Sequence, residues 1–389
     1  MVTARTRDQH LFDEGPKRIL ALDGGGVRGA LSLGYLAKVE SILRERCGGD
    51  PEFRLCDYFD LIGGTSTGSI IATGLALGFS VEKLAAIYRE LGRQIFEEGF
   101  LRLGVIGAKF PKEPLVDALT EHFGDETLGS DKLRTGLMVV TKRLDTGSPW
   151  LLHNNPRGKF HSGDAEGPAN RDMLLRNIVR ASTAAPHYFE PELVRVSEGA
   201  FGAFVDGGIS PYNNPAMQML MLATCSGYRF NWSFGEQKLL LVSVGTGFRG
   251  INTPVEDVMR MPAIRLAAES ILSIMQDANW MTQAVLQWMA SSPTAWTIDS
   301  EIEDLNADLL GGGPAMLSYL RYEVVLEPQW LRQTLGLTFT EQQCDQLYVM
   351  DRAENLEQLA QLGVAAAEVQ IDPAHFPSCF DLQPGLRGS

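Results

Sequence analysis

The sequence predicts an α/β protein: a three-layer α/β/α sandwich with a mostly parallel central sheet and extra helices on the C-terminal side. Short apolar runs, typical of buried parallel strands, alternate with segments in which apolar residues recur every three or four positions. This alternation predicts parallel strands covered by helices on both faces. The chain has 389 residues, of which 44% are apolar and 21% charged, which suits one large core with an appendage.

Five short runs are predicted to be strands because they are apolar, brief and bounded by glycine or polar turn residues. The predicted strands cover residues 18–22, 59–63, 137–140, 150–152 and 239–244. Helical spacing predicts helices over 30–46, 67–77 and 81–97. A further helix should run to about residue 224, with Asn214 as its N-cap and Pro215 at its first helical position.

The pattern changes from about residue 255, where a long helix is predicted. Its apolar residues trace one stripe, formed by Ile264, Ala267, Ile271, Met275, Ala278, Met281, Val285 and Trp288. We interpret the stripe as core; the alternative is a surface beside an acyl-chain cleft or a lid. The predicted organisation is a polar tail (1–15), a main domain (16–330) whose motifs lie in 18–247, and a helical extension (331–389) packed on the core.

Composition restricts the function. The formal net charge of −14 argues against a nucleic-acid polymer as a partner, because phosphate contacts need a basic surface. The five cysteines are scattered and form no Cys-x-x-Cys pair, so neither a disulfide framework nor a zinc site is predicted. The first fifteen residues are polar and lack an apolar signal region. We therefore expect a cytoplasmic protein that needs no metal and no cofactor.

A Gly-Thr-Ser-Thr-Gly motif at residues 64–68 lies between a predicted strand and a predicted helix. A sharp turn in this position exposes a serine hydroxyl at the carboxyl edge of a sheet, and glycines keep side chains out of the turn. The following helix directs its first amides, including that of Thr67, toward developing negative charge. Ser66 is therefore the candidate nucleophile.

A glycine-rich motif, Asp-Gly-Gly-Gly-Val-Arg-Gly, occupies residues 23–29, again between a strand and a helix. Consecutive glycines allow several backbone N–H groups to converge on one oxyanion. The glycines at 24, 26 and 29 also match a dinucleotide fingerprint, so a nucleotide-binding protein is a minor alternative. That alternative needs an acidic residue after the next strand, whereas the next strand here leads directly into the serine turn.

A third motif, Asp206-Gly207-Gly208, offers a base for the serine. Histidine is scarce, with six in the chain and none near these motifs. A hydrolase triad in the order serine, acid, histidine leaves only His375 after Asp206, and this triad stays open as an alternative. His187 is interpreted as a packed or solvated loop residue.

In this order and spacing the three motifs resemble those of the patatin-like phospholipase family. Residues 180–186 (Arg-Ala-Ser-Thr-Ala-Ala-Pro) and 213–215 (Asn-Asn-Pro) add to the likeness, which covers about 18–247. The resemblance implies a Ser66–Asp206 dyad that cleaves acyl esters of lipids, as a phospholipase A or lysophospholipase, with transient contact at the inner membrane face. It also implies an oxyanion hole from the residues of the glycine-rich turn and its surroundings, Gly24, Gly25, Gly26, Arg28 and Thr67.

The resemblance carries an alternative, a ligand-gated effector phospholipase with low basal activity and a small-molecule activator. Some bacterial members of the family answer cyclic-nucleotide signals in phage defence. In either case an aspartate with a pKa of about 3.9 is a poor base at pH 7 unless burial raises that pKa. We expect Phe204, Val205 and Ile209 to supply an apolar environment.

Overall fold

The structure, a computed structural model, describes residues 5–96, 109–163, 169–197, 199–250 and 253–382. Its strands are β1 (Lys17–Leu22), β2 (Leu61–Thr65), β3 (Gly136–Arg143), β4 (Ser148–His153), β5 (Glu192–Ser197), β6 (Ala200–Asp206), β7 (Leu239–Val244), β8 (Ala290–Ser291) and β9 (Leu317–Tyr322). Its α-helices are α1 (Arg7–Phe12), α2 (Gly29–Arg46), α3 (Leu55–Tyr58), α4 (Thr67–Ala76), α5 (Val81–Phe96), α6 (Glu113–Phe123), α7 (Leu175–Ser182), α8 (Ala216–Thr224), α9 (Val255–Met259), α10 (Ala263–Met289), α11 (Pro328–Leu335), α12 (Glu341–Tyr348) and α13 (Leu356–Gln370).

Across the described ranges the strands form one nine-stranded sheet in the order β5-β6-β3-β2-β1-β7-β9-β8, with β4 also paired to β3. The central pairs β3–β2, β2–β1, β1–β7 and β7–β9 are parallel, whereas β4 and β6 run antiparallel to β3. In the β1–β2 register Leu22 lies opposite Gly64. The glycine-rich turn and the serine turn therefore leave the sheet side by side at its carboxyl edge.

Alternate residues of β1 enter two different cores, which confirms the predicted three layers. Leu20 and Leu22 pack in one apolar cluster with α2, α4, α5 and α13. Ile19 and Ala21 pack in the other, together with α8 and the C-terminal end of α10. Because successive side chains of a strand point to opposite faces, the apolar run at residues 19–22 of β1 needs a helical layer on each side.

The last third of the chain differs in part from the prediction. A long helix in the segment from about residue 255 and a helical extension over 331–389 were expected, but β9 extends the central sheet by pairing with β7. The C-terminal helix α13 packs against α2 at a close crossing, where a Cβ built on Gly34 would lie 2.3 Å from the carbonyl carbon of Gly363. The β5–β6 hairpin was also not predicted. The C-terminal region is therefore part of the packing around the sheet.

The apolar stripe on α10 is divided between environments, so its interpretation as core was wrong for part of its length. Ala278 is buried, whereas Met281 is 61% and Trp288 41% exposed. Met275 lines the cavity described below. The side chains of Ile264 and Ile271 lie outside the described residues. Among the described helices, none has the length and apolar character needed to cross a membrane.

Candidate active site

Ser66 stands at the apex of a tight turn between β2 and α4. Its backbone angles are φ 53° and ψ −129°, a conformation that a residue with a side chain seldom adopts. The flanking glycines are required by close approach, since a Cβ on Gly64 would lie 2.2 Å from the carbonyl oxygen of Gly68. A Cβ on Gly68 would lie 2.4 Å from the carbonyl oxygen of Leu22. This geometry matches the strand–turn–helix that the motif predicted.

The Ser66 hydroxyl donates a hydrogen bond of 2.5 Å to Oδ2 of Asp206, across 140 residues of sequence. Asp206 ends β6, and its backbone lies opposite Thr141 of β3. Its other oxygen, Oδ1, accepts the amide of Gly208 at 2.6 Å. One carboxylate oxygen is thus held by the backbone, and the other faces the serine.

Burial makes Asp206 a better base than an exposed aspartate. The side chain is only 4% exposed, and this burial raises its pKa to about 6. Hydrogen bonds from Ser66 and from the Gly208 amide, together with the charge of Arg180, oppose the increase in pKa. The carboxylate is still mainly deprotonated at pH 7. Of the three apolar neighbours expected, Phe204 and Val205 are buried, whereas Ile209 is 38% exposed.

The carbonyl groups of the glycine-rich turn are held by side chains. Thr246 donates to the carbonyl of Gly24 at 2.8 Å, and the hydroxyl of Tyr88 donates to the carbonyl of Gly26. In a trans peptide the carbonyl and the next N–H point in opposite directions. Fixing the Gly24 carbonyl therefore also fixes the direction of the Gly25 amide.

The amides of the turn differ in their availability. Gly24 donates to the carbonyl of Asn213 at 3.2 Å, so this amide is already paired. Gly25 donates to the hydroxyl of Thr67 at 3.3 Å, a long hydrogen bond. Gly25, Gly26 and Thr67 all line the cavity that holds the serine. Of the three glycines expected to bind an oxyanion, Gly25 and Gly26 have the more suitable positions.

Arg28 binds backbone carbonyl groups in this turn and beside it. Its guanidinium donates to the carbonyl of Gly247 at 3.0 Å and to that of Gly25 at 3.4 Å, and it lies 4.1 Å from the ring centre of Tyr348. The sequence interpretation placed Arg28 among the oxyanion-binding residues. Its hydrogen bonds instead go to backbone carbonyls, which makes it a support for the turn.

The dinucleotide alternative is not supported by the geometry. The amide of Val27 donates to the carbonyl of Met350 at 2.9 Å, and a Cβ on Gly26 would lie 2.2 Å from that same oxygen. A backbone carbonyl therefore occupies the place where the fingerprint would hold a pyrophosphate. The neighbouring strand β2 ends at Thr65 and leads into Ser66, without the acidic residue that would bind a ribose.

The side chains of the two histidines considered as bases contact tyrosines. Nδ1 of His375 lies 3.1 Å from the hydroxyl of Tyr322. His187 is exposed at the cavity wall, with φ 73°, and its ring contacts Tyr188 edge to face. The observed partner of the Ser66 hydroxyl is Asp206.

Ser66 and Asp206 open into a cavity of about 610 Å³. Most of its wall is apolar and comes from both halves of the chain: Ile70, Leu91, Ile95, Leu115, Phe189, Met275 and Met350. Such a cavity suits an apolar ligand held beside a small number of polar groups. Within the described ranges, no group of three or more His, Cys, Asp or Glu side chains is arranged to hold a metal ion.

A serine on a strained turn between a strand and a helix has the backbone geometry of a nucleophile elbow. The sequence model of the patatin-like phospholipase family matches residues 20–220, and the chain belongs to this family. A cGAMP-activated phospholipase of Vibrio cholerae serotype O1 is 34% identical over 211 residues, covering 51% of this chain and 55% of that protein.

Two further relatives have similar coverage. A cUMP-AMP-activated phospholipase of Escherichia coli is 30% identical over 236 residues, 59% of this chain and 64% of that protein. Patatin-17 of Solanum cardiophyllum is 27% identical over 245 residues, 59% of this chain and 60% of that protein. The chain thus spans less than two thirds of the length of each of these relatives.

Proposed function

We propose that this protein hydrolyses carboxylic esters of lipids, in the manner of a phospholipase A or lysophospholipase. The observation that carries the proposal is the Ser66–Asp206 hydrogen bond of 2.5 Å at an apolar cavity of about 610 Å³. The serine supplies a nucleophile, the raised pKa of Asp206 supplies a base, and the cavity wall offers apolar contact to an acyl chain. Family membership supports the same reaction.

In the acylation step the Ser66 oxygen attacks the ester carbonyl carbon while Asp206 accepts the hydroxyl proton. The carbonyl π electrons move onto oxygen and form a tetrahedral oxyanion. When this intermediate collapses, the ester C–O bond breaks and the leaving alcohol takes the proton from Asp206. The products are an acyl-Ser66 ester and a free alcohol, such as a lysophospholipid.

Deacylation repeats the sequence with water as nucleophile. Asp206 accepts a proton from the water, whose oxygen bonds to the acyl carbon. Collapse of the second tetrahedral intermediate breaks the bond to the Ser66 oxygen, which recovers the proton. The fatty acid leaves, and both residues return to their starting states.

The oxyanion is proposed to accept hydrogen bonds from the amides of Gly25, Gly26 and Thr67. Thr67 is the first residue of α4, so its amide has no partner within the helix. An amide fixed in advance toward developing charge lowers the barrier by roughly 3–4 kcal/mol. In this scheme Gly24 and Arg28 keep the turn in shape.

Labelling with a fluorophosphonate tests the proposal, because the reagent phosphonylates an activated serine. The wild-type protein should be labelled at Ser66 and should hydrolyse p-nitrophenyl butyrate, whereas Ser66→Ala should do neither. Ser130→Ala, in the loop that leads into the amino end of β3, is the control and should behave as wild type. Labelling at a different serine would refute the assignment.

We also propose that a cyclic nucleotide raises the activity of this protein. The supporting observation is that relatives with 34% and 30% identity are named as cGAMP-activated and cUMP-AMP-activated phospholipases. Fatty-acid release from phospholipid vesicles should increase when cGAMP or cUMP-AMP is added, and Ser66→Ala should release none. A rate unchanged by both nucleotides would contradict gating by them but leave the hydrolysis proposal intact.

A further inference from the structure

We propose that Arg321, in the last third of the chain, is a positioning residue that holds the oxyanion-binding turn in its working shape. The inference rests on the proposed function, because it assumes that the glycine-rich turn binds an oxyanion. It assigns a role in turnover to strand β9, which lies outside the 20–220 region matched by the family.

The first contact joins Arg321 to the residue that begins the turn. Nη1 donates to Oδ1 of Asp23 at 3.1 Å and Nη2 donates to Oδ2 at 2.7 Å, across 298 residues of sequence. Paired hydrogen bonds of this kind fix both the distance and the plane of a carboxylate. Asp23 immediately precedes Gly24, so the guanidinium sets where the glycine-rich turn leaves β1.

A second set of contacts reaches the turn from the other side. Nη2 of Arg321 also binds Glu323, whose Oε1 accepts the amide of Gly247 at 2.7 Å. The carbonyl of Gly247 accepts a hydrogen bond from Arg28 at 3.0 Å, and Arg28 also donates to the carbonyl of Gly25. Arg321 is therefore connected both to the start of the turn and to its second glycine.

The charges of this network are buried, since Asp23 and Glu323 are each 4% and Arg321 1% exposed. Burial opposes the charge on Arg321, but the carboxylates of Asp23 and Glu323 outweigh that effect and raise the pKa of its guanidinium. Arg321 therefore remains protonated during turnover. Buried ion networks of this kind contribute little net stability compared with apolar packing, although each partner is geometrically constrained. The network is therefore suited to hold the glycine-rich turn in one geometry.

The register of the sheet explains why Arg321 can reach this position. Arg321 lies opposite Ser243 in the parallel β7–β9 pair, and Nη1 also donates to the Ser243 hydroxyl at 2.7 Å. In the sheet, β7 lies between β9 and β1. The side chain of Arg321 therefore crosses β7 to reach Asp23 at the end of β1. Side-chain hydrogen bonds of Arg321 thus connect strand β9 to the start of the glycine-rich turn.

The test is the rate of p-nitrophenyl butyrate hydrolysis by Arg321→Met in the full chain. We expect kcat to fall at least about 30-fold with KM within about threefold, because positioned donors act mainly in the transition state. Arg18→Met is the matched control. Arg18 is a buried arginine at the opposite end of β1, 3.0 Å from Asp60, which keeps His10 as a partner. This variant should keep the wild-type kcat per folded molecule.

A triple variant separates positioning from stability. Asp23→Asn, Arg321→Met and Glu323→Gln together remove all three charges of this network, so none of the three is left buried without its partner. Each rate is divided by the concentration of folded protein, which circular dichroism measures. A recovered melting temperature with kcat still reduced is the expected result, whereas recovery of both would overturn the proposal.

The remaining outcomes distinguish this inference from the proposed function. A wild-type protein that hydrolyses the ester and is labelled at Ser66, with an Arg321→Met variant within threefold of its kcat, would refute only the positioning role. A wild-type protein without activity or labelling would refute the proposed function first, and the inference with it.

Discussion

The amide of Ser66 donates a hydrogen bond of 2.9 Å to the hydroxyl of Ser182, which in turn donates at 2.7 Å to the carbonyl of Val140. Ser182 is the last residue of α7 and is fully buried. Its hydroxyl thus connects the strained turn at Ser66 to β3. A residue in such a backbone conformation costs about 1–3 kcal/mol, which the surrounding contacts must offset.

Ser182→Ala is therefore expected to lower kcat by about 10- to 100-fold while KM changes little. Loss of the hydroxyl releases the Ser66 amide and allows the turn to relax away from Asp206, and small displacements have large effects on rate. Steady-state kinetics on a short soluble ester is the measurement. Ser292→Ala is the control, because Ser292 is also buried and its hydroxyl has no hydrogen-bond partner among the described residues.

The activity should depend on the protonation of Asp206. The base must be deprotonated, so kcat/KM is expected to be constant above about pH 7 and to fall as the pH drops through about 6. At pH 5 the rate should be roughly a tenth of its maximum. A rate that stays constant down to pH 4.5 would contradict a buried aspartate base.

The raised pKa has a consequence for distinguishing a dyad from a triad. A transition near pH 6 resembles that of a histidine, so mutants must accompany the pH profile. Asp206→Asn should be as inactive as Ser66→Ala, because an amide cannot accept the proton. His187→Ala and His375→Ala should retain both most of the activity and the transition near pH 6. An inactive His375→Ala variant would favour the triad.

The substitution Asp206→Asn should stabilise the fold at high pH. In the native state the pKa of Asp206 is raised from 3.8 to about 6, so the native state holds the proton more tightly and charge on the group opposes folding. This difference of about 2 in the pKa of Asp206 corresponds to about 3 kcal/mol in the free energy of unfolding. Asp206→Asn should therefore have a larger free energy of unfolding than wild type at pH 8. The gain should shrink as the pH falls through 6 and disappear near pH 3, where both states of wild type are protonated, and denaturant titrations at pH 8 and pH 3 measure it.

Met275 is expected to affect the preference for acyl-chain length. It lines the cavity, so Met275→Ser should raise KM for long-chain esters by about 5- to 20-fold, as loss of an apolar contact worth about 1–2 kcal/mol predicts, and leave short esters unaffected. Met281→Ser is the matched control, on the same helix but 61% exposed. Equal effects of the two variants would exclude a specific contact between Met275 and the acyl chain.

The sequence could predict features whose signals are local. The bounds of β7 were predicted as observed, because Leu239–Val244 is an uninterrupted buried run before a Gly-Thr-Gly turn. The turn at Ser66 was predicted from its two glycines, whose close backbone contacts allow no side chain. Periodicity also gave the extent of α10, but it could not distinguish the buried Ala278 from the exposed Met281, because both follow the same spacing.

Features that depend on distant partners were not predicted. Strand β9 contains Arg321, and a charge within a strand normally indicates an exposed position. It can be buried here only because Asp23 and Glu323 neutralise it, and Asp23 is 298 residues away in sequence. The hydrogen bond from the Ser66 amide to Ser182 is equally invisible to local patterns, since it spans 116 residues.

The pairing of β7 with β9 also limits how the protein can be shortened. A fragment ending near residue 247 would contain all three motifs, yet Leu239–Val244 would become an open edge of the sheet. This segment has the sequence Leu-Leu-Leu-Val-Ser-Val, without charge or proline. Such an edge is a template for strand addition between chains, and the fragment would assemble into insoluble aggregates.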